Sequence, residues 1–290
     1  MRGLFLDDHG ALRSGWRILQ FILILGALGF ALSTLGRIGP PAWQGAFPGR
    51  WADAAVALAA TWLCLRAEGE PLASAGLRPG GRFLQEVALG TLGGAVLMLA
   101  VAGLIRGLGG LHWVRTPGVG AGSLVAGAWL YLAVACHEEL LFRGYPFQRA
   151  VQGLRFTGAQ ALFAAAFVAA HWDNPGMAGA TRLWATLNIG LAGLLMGFAW
   201  RRTGSLALPI GLHLGWNWTQ GTLLGFGVSG TGGAGWWTPV FHDRPEWLTG
   251  GAFGLEATAA CALLCGAAVA GLWRWRGRMP SAGASTASES

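Results

Sequence analysis

The sequence predicts an all-α polytopic membrane protein of about eight transmembrane helices. Hydrophobic residues make up 53% of the 290-residue chain, charged residues only 11%, and the mean hydropathy is +0.48. Apolar runs long enough to cross a bilayer as helices, about 20 residues each, recur along the chain. This composition excludes a soluble globular domain and makes a lipid bilayer the expected surroundings.

The expected helices follow the apolar runs in chain order, at about 17–36, 51–66, 83–105, 123–142, 157–171, 182–200, 204–224 and 251–273. The second and fifth runs are short and rich in alanine, and Glu256 weakens the last, so six or seven spans are alternatives to about eight. One membrane domain is expected at 17–273, between a cytoplasmic N-terminal segment (1–16) and a disordered cytoplasmic tail (274–290).

Arginine supplies all 20 basic residues, and lysine is absent. Most of these arginines fall at one end of the expected bundle, and by the positive-inside rule that end, with both termini, is cytoplasmic. The arginine usage indicates a GC-rich bacterial genome, so the inner membrane is the expected location. The net charge of +7 requires no nucleic-acid partner, because arginines beside a membrane face anionic lipid.

The fourth apolar run ends in the string CHEELLFR, residues 136–143. On a helix Glu139 and Arg143 stand at i and i+4 with the acid first, the favourable order for an ion pair. Glu138 points about 100° away, which leaves its carboxylate available as a general base. The alternative is that both acids belong to a solvated helix end in the headgroup region.

Two further apolar runs contain histidines. His171 ends the fifth run and has Phe167 four residues before it, while the seventh run contains His213 and Asn217, again four residues apart. An isolated histidine or asparagine within a membrane often only joins helices. A set of glutamate, histidine and asparagine side chains on three helices can, however, deprotonate water and stabilise an oxyanion, which favours a hydrolytic site.

These residues form three patterns in order: EExxxR at 138–143, FxxxH at 167–171 and HxxxN at 213–217. The chain here resembles the CAAX protease and bacteriocin-processing (CPBP, or Abi) family of intramembrane endopeptidases, which includes the Ras-converting prenyl-protein proteases. The resemblance covers about residues 123–222. It implies a CAAX-protease-like helical bundle that hydrolyses a peptide bond.

The resemblance also implies a role for each motif residue. Glu138 would activate water with assistance from His171, and Glu139 with Arg143 would shape the site and balance its charge. His213 and Asn217 would stabilise the oxyanion. The substrate would be a peptide or membrane protein, either of the CAAX type or a bacteriocin or other peptide to be processed.

Metal dependence stays open at this point. The zinc pattern H-E-x-x-H is absent, because Leu141 stands where a second histidine after His137 would be needed. Glu138, His171 and His213 could still supply the three protein ligands of a catalytic zinc. The cofactor is therefore none or a divalent metal such as zinc. Neither His137 nor Cys136 is expected to be catalytic.

Two functions other than proteolysis are compatible with the same spans. An immunity or scaffold protein of the same fold would bind a partner without needing the complete set of motifs. A proton-coupled transporter would need ionisable groups in further spans, for which Asp53 and Glu86 are the candidates, although both lie near span ends.

The expected depth of His171 conflicts with that of Glu138. The fourth and fifth helices run in opposite directions, so His171 should lie towards the far side of the membrane. The two residues meet only under one of two conditions. Either the fifth helix is short and begins deep in the membrane, or it begins later than 157, with VQGLRFTGAQ (151–160) re-entering as part of the structure.

Overall fold

The computed structural model describes residues 5–6, 10–40, 49–232 and 234–277. Helices account for most of them. In chain order they are α1 (Ser14–Ile38), α2 (Arg50–Ala67), α3 (Gly81–Gly107), α4 (Ala121–Phe142), α5 (Tyr145–Ala170), α6 (Gly179–Thr203), α7 (Ala207–Asn217), α8 (Glu246–Thr249) and α9 (Ala259–Arg274). Residues 1–4 and 7–9 of the expected N-terminal segment, and 278–290 of the expected tail, lie outside the described residues.

Four helical stretches of the described chain are long and apolar enough to cross a membrane: Ser14–Ile38, Gly81–Gly107, Ala121–Ala170, which contains α4 and α5, and Gly179–Thr203. The other helices on apolar runs do not qualify, because α2 carries three charged residues in 18, and α7 and α9 have only 11 and 16 residues. The protein is mostly helical, as expected for a helical membrane protein, but a count of eight spans is not confirmed.

Helices α3 and α7 approach closely through glycines on both helices. A β-carbon added at Gly94 would collide with the backbone of Leu212 and Trp216, and one added at Gly215 would collide with the backbone of Thr91. Small residues at a helix interface permit such an approach, and they contribute to packing between membrane helices. This contact places the first turns of α7, and with them His213, against the rest of the bundle.

We expect Gly94→Ala to lower the free energy of unfolding by about 1–3 kcal/mol, because the added methyl group has no room beside α7. Gly103, also in α3, has no atom within 4 Å of an added β-carbon. Gly103→Ala is therefore the matched control and should leave stability unchanged or raise it. Thermal unfolding of the two purified variants in detergent checks this, and equal losses in both would contradict the packing of α3 against α7.

Helix α5 is broken at Arg155, whose backbone has φ 59° and ψ 171°. The break lies within the stretch VQGLRFTGAQ and divides the helix into 145–154 and 156–170. The first part is held to the end of α2, because the Tyr145 hydroxyl and Arg149 Nη2 both donate to the Glu68 carboxylate, the latter at 2.6 Å. The second part of α5 begins at 156, close to the expected 157, so the later start that was expected as a condition for His171 to meet Glu138 is not observed.

A two-stranded antiparallel sheet interrupts the expected all-α architecture. Strand β1 (Leu111–Arg115) follows α3 and pairs with β2 (Trp237–Phe241). The indole of Trp113 on β1 donates to the carbonyl of Leu224 at 3.1 Å. The sheet therefore fastens the segment that leaves α7, which continues beyond Asn217 as a π-helical turn, Trp218–Leu223.

The last long helix begins later than its apolar run. The run was expected to be helical from about 251, but α9 begins at Ala259. Gly250, Gly251 and Gly254 have φ values of 80°, 51° and 108°, which a continuous right-handed helix does not contain. Glu256 consequently lies in a short 3₁₀ turn, Leu255–Ala257, and not within a transmembrane helix.

Candidate active site

A cavity of about 580 Å³ lies among α4, α5, α6 and α7. Four of the six predicted site residues line it: Glu138, His171, His213 and Asn217. The remaining two, Glu139 and Arg143, are absent from its lining and are buried, with 0% and 2% of their surfaces exposed. The structure therefore brings the three motifs together, with the first glutamate at the cavity and the ion pair behind it.

The ion pair expected between Glu139 and Arg143 is present. Arg143 Nη1 donates to Glu139 Oε1 at 3.1 Å, and Nη2 donates to the carbonyl of Gly193 in α6 at 3.0 Å. The guanidinium carbon also lies 4.9 Å from the centre of the Phe167 ring. A buried arginine with these partners links α4, α5 and α6, and a buried charge is tolerated only when it is paired in this way.

His213 connects the buried carboxylate to the one at the cavity. Its Nδ1 lies 2.8 Å from Glu139 Oε1, and its Nε2 lies 3.7 Å from Glu138 Oε2. A carboxylate in an ion pair accepts hydrogen bonds, so Nδ1 carries the proton of this contact. Glu139 therefore orients the ring and directs Nε2 towards Glu138.

His171 is oriented by the first residue of its own motif. Its Nδ1 lies 2.8 Å from the backbone carbonyl of Phe167, which can only accept, so Nδ1 is the donor. In the neutral ring the lone pair is then on Nε2, the state required of a proton acceptor or a metal ligand. The Phe167 ring also packs edge-on against His171 and His213, with centroid distances of 4.7 and 6.4 Å.

Asn217 stands one helical turn beyond His213 and is 5% exposed. It lines the cavity, and its carboxamide makes no hydrogen bond to another residue in the described part of the chain. The amide group is consequently available to a molecule in the cavity. The π-helical turn begins directly after Asn217, and such turns often occur at functional sites.

The cavity also contains polar residues that the sequence patterns did not identify as part of a site. Among them are His137, Asn174, Asn188, Ser229 and Glu256. Glu256 is 39 residues beyond Asn217 in the sequence, so no short motif includes both. The one available signal was a carboxylate within a strongly apolar run, which suggests a functional role in a membrane protein.

The three residues that would be the ligands if a metal were bound, Glu138, His171 and His213, all line the cavity. Within the described ranges, however, no three His, Cys, Asp or Glu side chains are grouped closely enough to hold a metal ion. Catalytic zinc is bound at about 2.0–2.2 Å by nitrogen and oxygen ligands, so its ligands must converge. In this arrangement the residues do not form a three-ligand site. Cys136 is not among the cavity-lining residues.

Comparison with known proteins agrees with the motifs. The family model described as Rce1-like, type II CAAX prenyl endopeptidase Rce1-like, matches residues 120–219, a range that contains all three motifs. A search of curated proteins and one of solved structures found no match to the chain. The apolar helices indicate a membrane protein, and the family that the matched segment resembles is one of endopeptidases. The segment that carries the motifs therefore matches the Rce1-like family of type II CAAX prenyl endopeptidases, which confirms the resemblance expected from the sequence.

Proposed function

We propose that the protein is an intramembrane endopeptidase that hydrolyses a peptide bond with a water molecule activated by Glu138 and His171. The observation that carries this proposal is the shared cavity. Glu138, with an accepting carboxylate, and His171, with the lone pair on Nε2, line it together with His213 and Asn217. These are the groups needed for a base and for an oxyanion site.

In the proposed reaction, the oxygen of a water molecule attacks the carbonyl carbon of the peptide bond while Glu138 accepts a proton from that water. His171 orients the water through Nε2. The tetrahedral intermediate then loses its amine, and the proton held by Glu138 passes to the leaving nitrogen as the carbon–nitrogen bond breaks. Glu138 thus returns to its starting state, and no metal takes part in these steps.

His213 and Asn217 stabilise the oxyanion of this intermediate. Glu138, Glu139 and Arg143 together carry one net negative charge, which a protonated His213 balances. Its Nδ1 donates to Glu139, at 2.8 Å, so Nε2–H is free to donate to the developing charge. Donors fixed in a water-poor site stabilise such a charge more strongly than they would in bulk water. The Glu139–Arg143 pair acts through His213 and does not touch the substrate.

The proposal includes an arrangement in the membrane. Residues 17–273 form a single domain in a bacterial inner membrane, and the arginine bias puts both termini, with segments 1–16 and 274–290, in the cytoplasm. The substrate is a peptide or a membrane protein, either a CAAX-type sequence or a bacteriocin-type precursor, and nucleic acid is not a partner.

The proposal is tested with purified protein in lipid vesicles and internally quenched peptides ending in Cys-aliphatic-aliphatic-X, each with and without a farnesyl group. Membranes from cells with and without the protein are compared in parallel by mass spectrometry for new peptide termini. We expect cleavage that persists in the presence of a zinc chelator, with far less than one bound metal per chain. Failure to cleave either peptide, without any new terminus, would reject the protease. Stoichiometric zinc whose removal abolishes activity would replace the glutamate mechanism with a metal-dependent one.

A further inference from the structure

Glu256 is a buried carboxylate, 6% exposed, in the wall of the cavity. Its Oε1 accepts a hydrogen bond from the indole of Trp216 at 3.0 Å. Its Oε2 accepts two from Ser229, from the backbone N–H at 2.6 Å and from the hydroxyl at 2.8 Å. No arginine pairs with this carboxylate in the described chain, so three hydrogen bonds from two residues satisfy it.

Each of the two partners leads to one of the motifs. Trp216 directly precedes Asn217 in α7, so its indole fixes the helix turn that carries that amide. The carbonyl of Ser229 accepts a hydrogen bond from Asn174 Nδ2 at 2.9 Å, and Asn174 lies in the turn that begins at His171. Glu256 therefore joins the turn after the FxxxH motif to the end of the HxxxN motif.

The loop that Ser229 belongs to needs such support. Ser229 has φ 47°, a left-handed conformation that is rare for a residue other than glycine. Gly230 packs so tightly on the Pro175 backbone that a β-carbon would collide with it. Strained backbone at a functional site persists only where surrounding contacts stabilise it. Here the two hydrogen bonds from Ser229 to Glu256 stabilise the loop.

We infer that Glu256 is a positioning residue for the hydrolysis, which sets His171 and Asn217 at their working distance by holding the 228–232 loop and α7 to one carboxylate. This inference rests on the proposed function. It adds a contribution to the site from outside the family match, since Ser229 and Glu256 both lie beyond residue 219. A carboxylate suits the role because it accepts on both oxygens, whereas an amide presents a donor to one of its two partners.

The test compares Glu256→Gln with Glu86→Gln in vesicles, with the quenched peptide that the unsubstituted protein cleaves. Glu86 is also a buried glutamate, 5% exposed, but it pairs with Arg82 and does not line the cavity. We expect Glu256→Gln to lower kcat by about 10–100-fold, because small misplacements of reacting groups have effects of that size. KM should change by less than about threefold. Glu86→Gln should change neither constant.

Two further variants separate positioning from a general loss of folding. Ser229→Ala should lower kcat to a smaller extent, and the double variant Glu256→Gln/Ser229→Ala should be no slower than Glu256→Gln alone, because both act through one contact. Three results would overturn the inference. The first is that the reductions in kcat from the two substitutions multiply in the double variant. The others are that Glu256→Gln raises KM with kcat unchanged, or that its kinetics equal those of the unsubstituted protein.

Hydrogen–deuterium exchange gives a second readout that does not depend on activity. In Glu256→Gln the peptides covering 226–232 and 171–177 should exchange faster than in the unsubstituted protein, and in Glu86→Gln they should not. Unchanged exchange in Glu256→Gln overturns the inference even if the protease is real. If the unsubstituted protein cleaves nothing, the proposed function is rejected, and so is the catalytic part of the inference. Faster exchange in Glu256→Gln would then show only that Glu256 makes a structural contact.

Discussion

Replacing Glu138 with glutamine is expected to lower the rate of peptide cleavage by about 10²–10⁴-fold, the usual contribution of a positioned general base. Glutamine has the same size as glutamate but does not accept a proton from water at neutral pH. The loss should fall on kcat, because the substituted group acts on the attacking water and not on substrate binding. Cleavage of the quenched peptide in vesicles measures it.

The substitution should leave the fold intact. Glu138 Oε2 has no hydrogen-bond partner in the described chain, and it lies 3.7 Å from His213 Nε2. Glu138→Gln should therefore remain monodisperse and unfold at nearly the same temperature as the unsubstituted protein. Cleavage by this variant at more than about a tenth of the original rate would remove Glu138 from the role of base.

The helices and the three motifs were accessible from the sequence because both depend on local patterns. Apolar runs of sufficient length predict helices directly, and i,i+4 spacing keeps Glu139 beside Arg143 and His213 beside Asn217 on their helix faces. The ion pair, at 3.1 Å, follows from that spacing alone. The hydrogen bond from His171 to the Phe167 carbonyl has the same local origin.

Features that depend on distant residues were not accessible in this way. The two strands pair Leu111–Arg115 with Trp237–Phe241, segments that lie more than a hundred residues apart, and a five-residue strand carries little signal of its own. The start of α9 was misplaced because hydropathy does not register glycines that break a helix. The break at Arg155 was not accessible either, because arginine is not a residue that favours a positive φ.

Glu256 shows the same limit within the site. Its hydrogen bonds to Trp216 and Ser229 join residues 40 and 27 positions away. One sequence can indicate that a carboxylate in an apolar run needs a partner, but it cannot indicate which donor the fold will bring to it. The motifs therefore predicted the part of the cavity formed by α4, α5 and α7, and not the part formed by Ser229 and Glu256.

Replacing Arg143 with methionine is expected to lower the free energy of unfolding by about 3–5 kcal/mol, the cost of leaving one partner of a buried ion pair uncompensated. Methionine retains an unbranched chain but has no charge. Glu139, with no exposed surface, would keep only His213 as a hydrogen-bond partner. Thermal unfolding in detergent measures the change. Arg82→Met is the matched control, because Arg82 also pairs at i,i+4 with a glutamate but its side chain is 57% exposed, and its loss should be at most about 1 kcal/mol.

The double variant Glu139→Gln/Arg143→Met should be more stable than Arg143→Met alone. The single substitution leaves the buried Glu139 carboxylate without its positive partner, and the double variant removes that negative charge. The coupling between the two substitutions should lie within about 0.5–3 kcal/mol, as for other residues in direct contact. Both variants should also cleave peptide slowly. Glu139 orients His213 through Nδ1 at 2.8 Å, and Arg143→Met removes the ion-pair partner of Glu139, whereas the double variant replaces Glu139 itself. If the losses of stability from Glu139→Gln and Arg143→Met simply add in the double variant, the Glu139–Arg143 contact does not contribute a coupling energy.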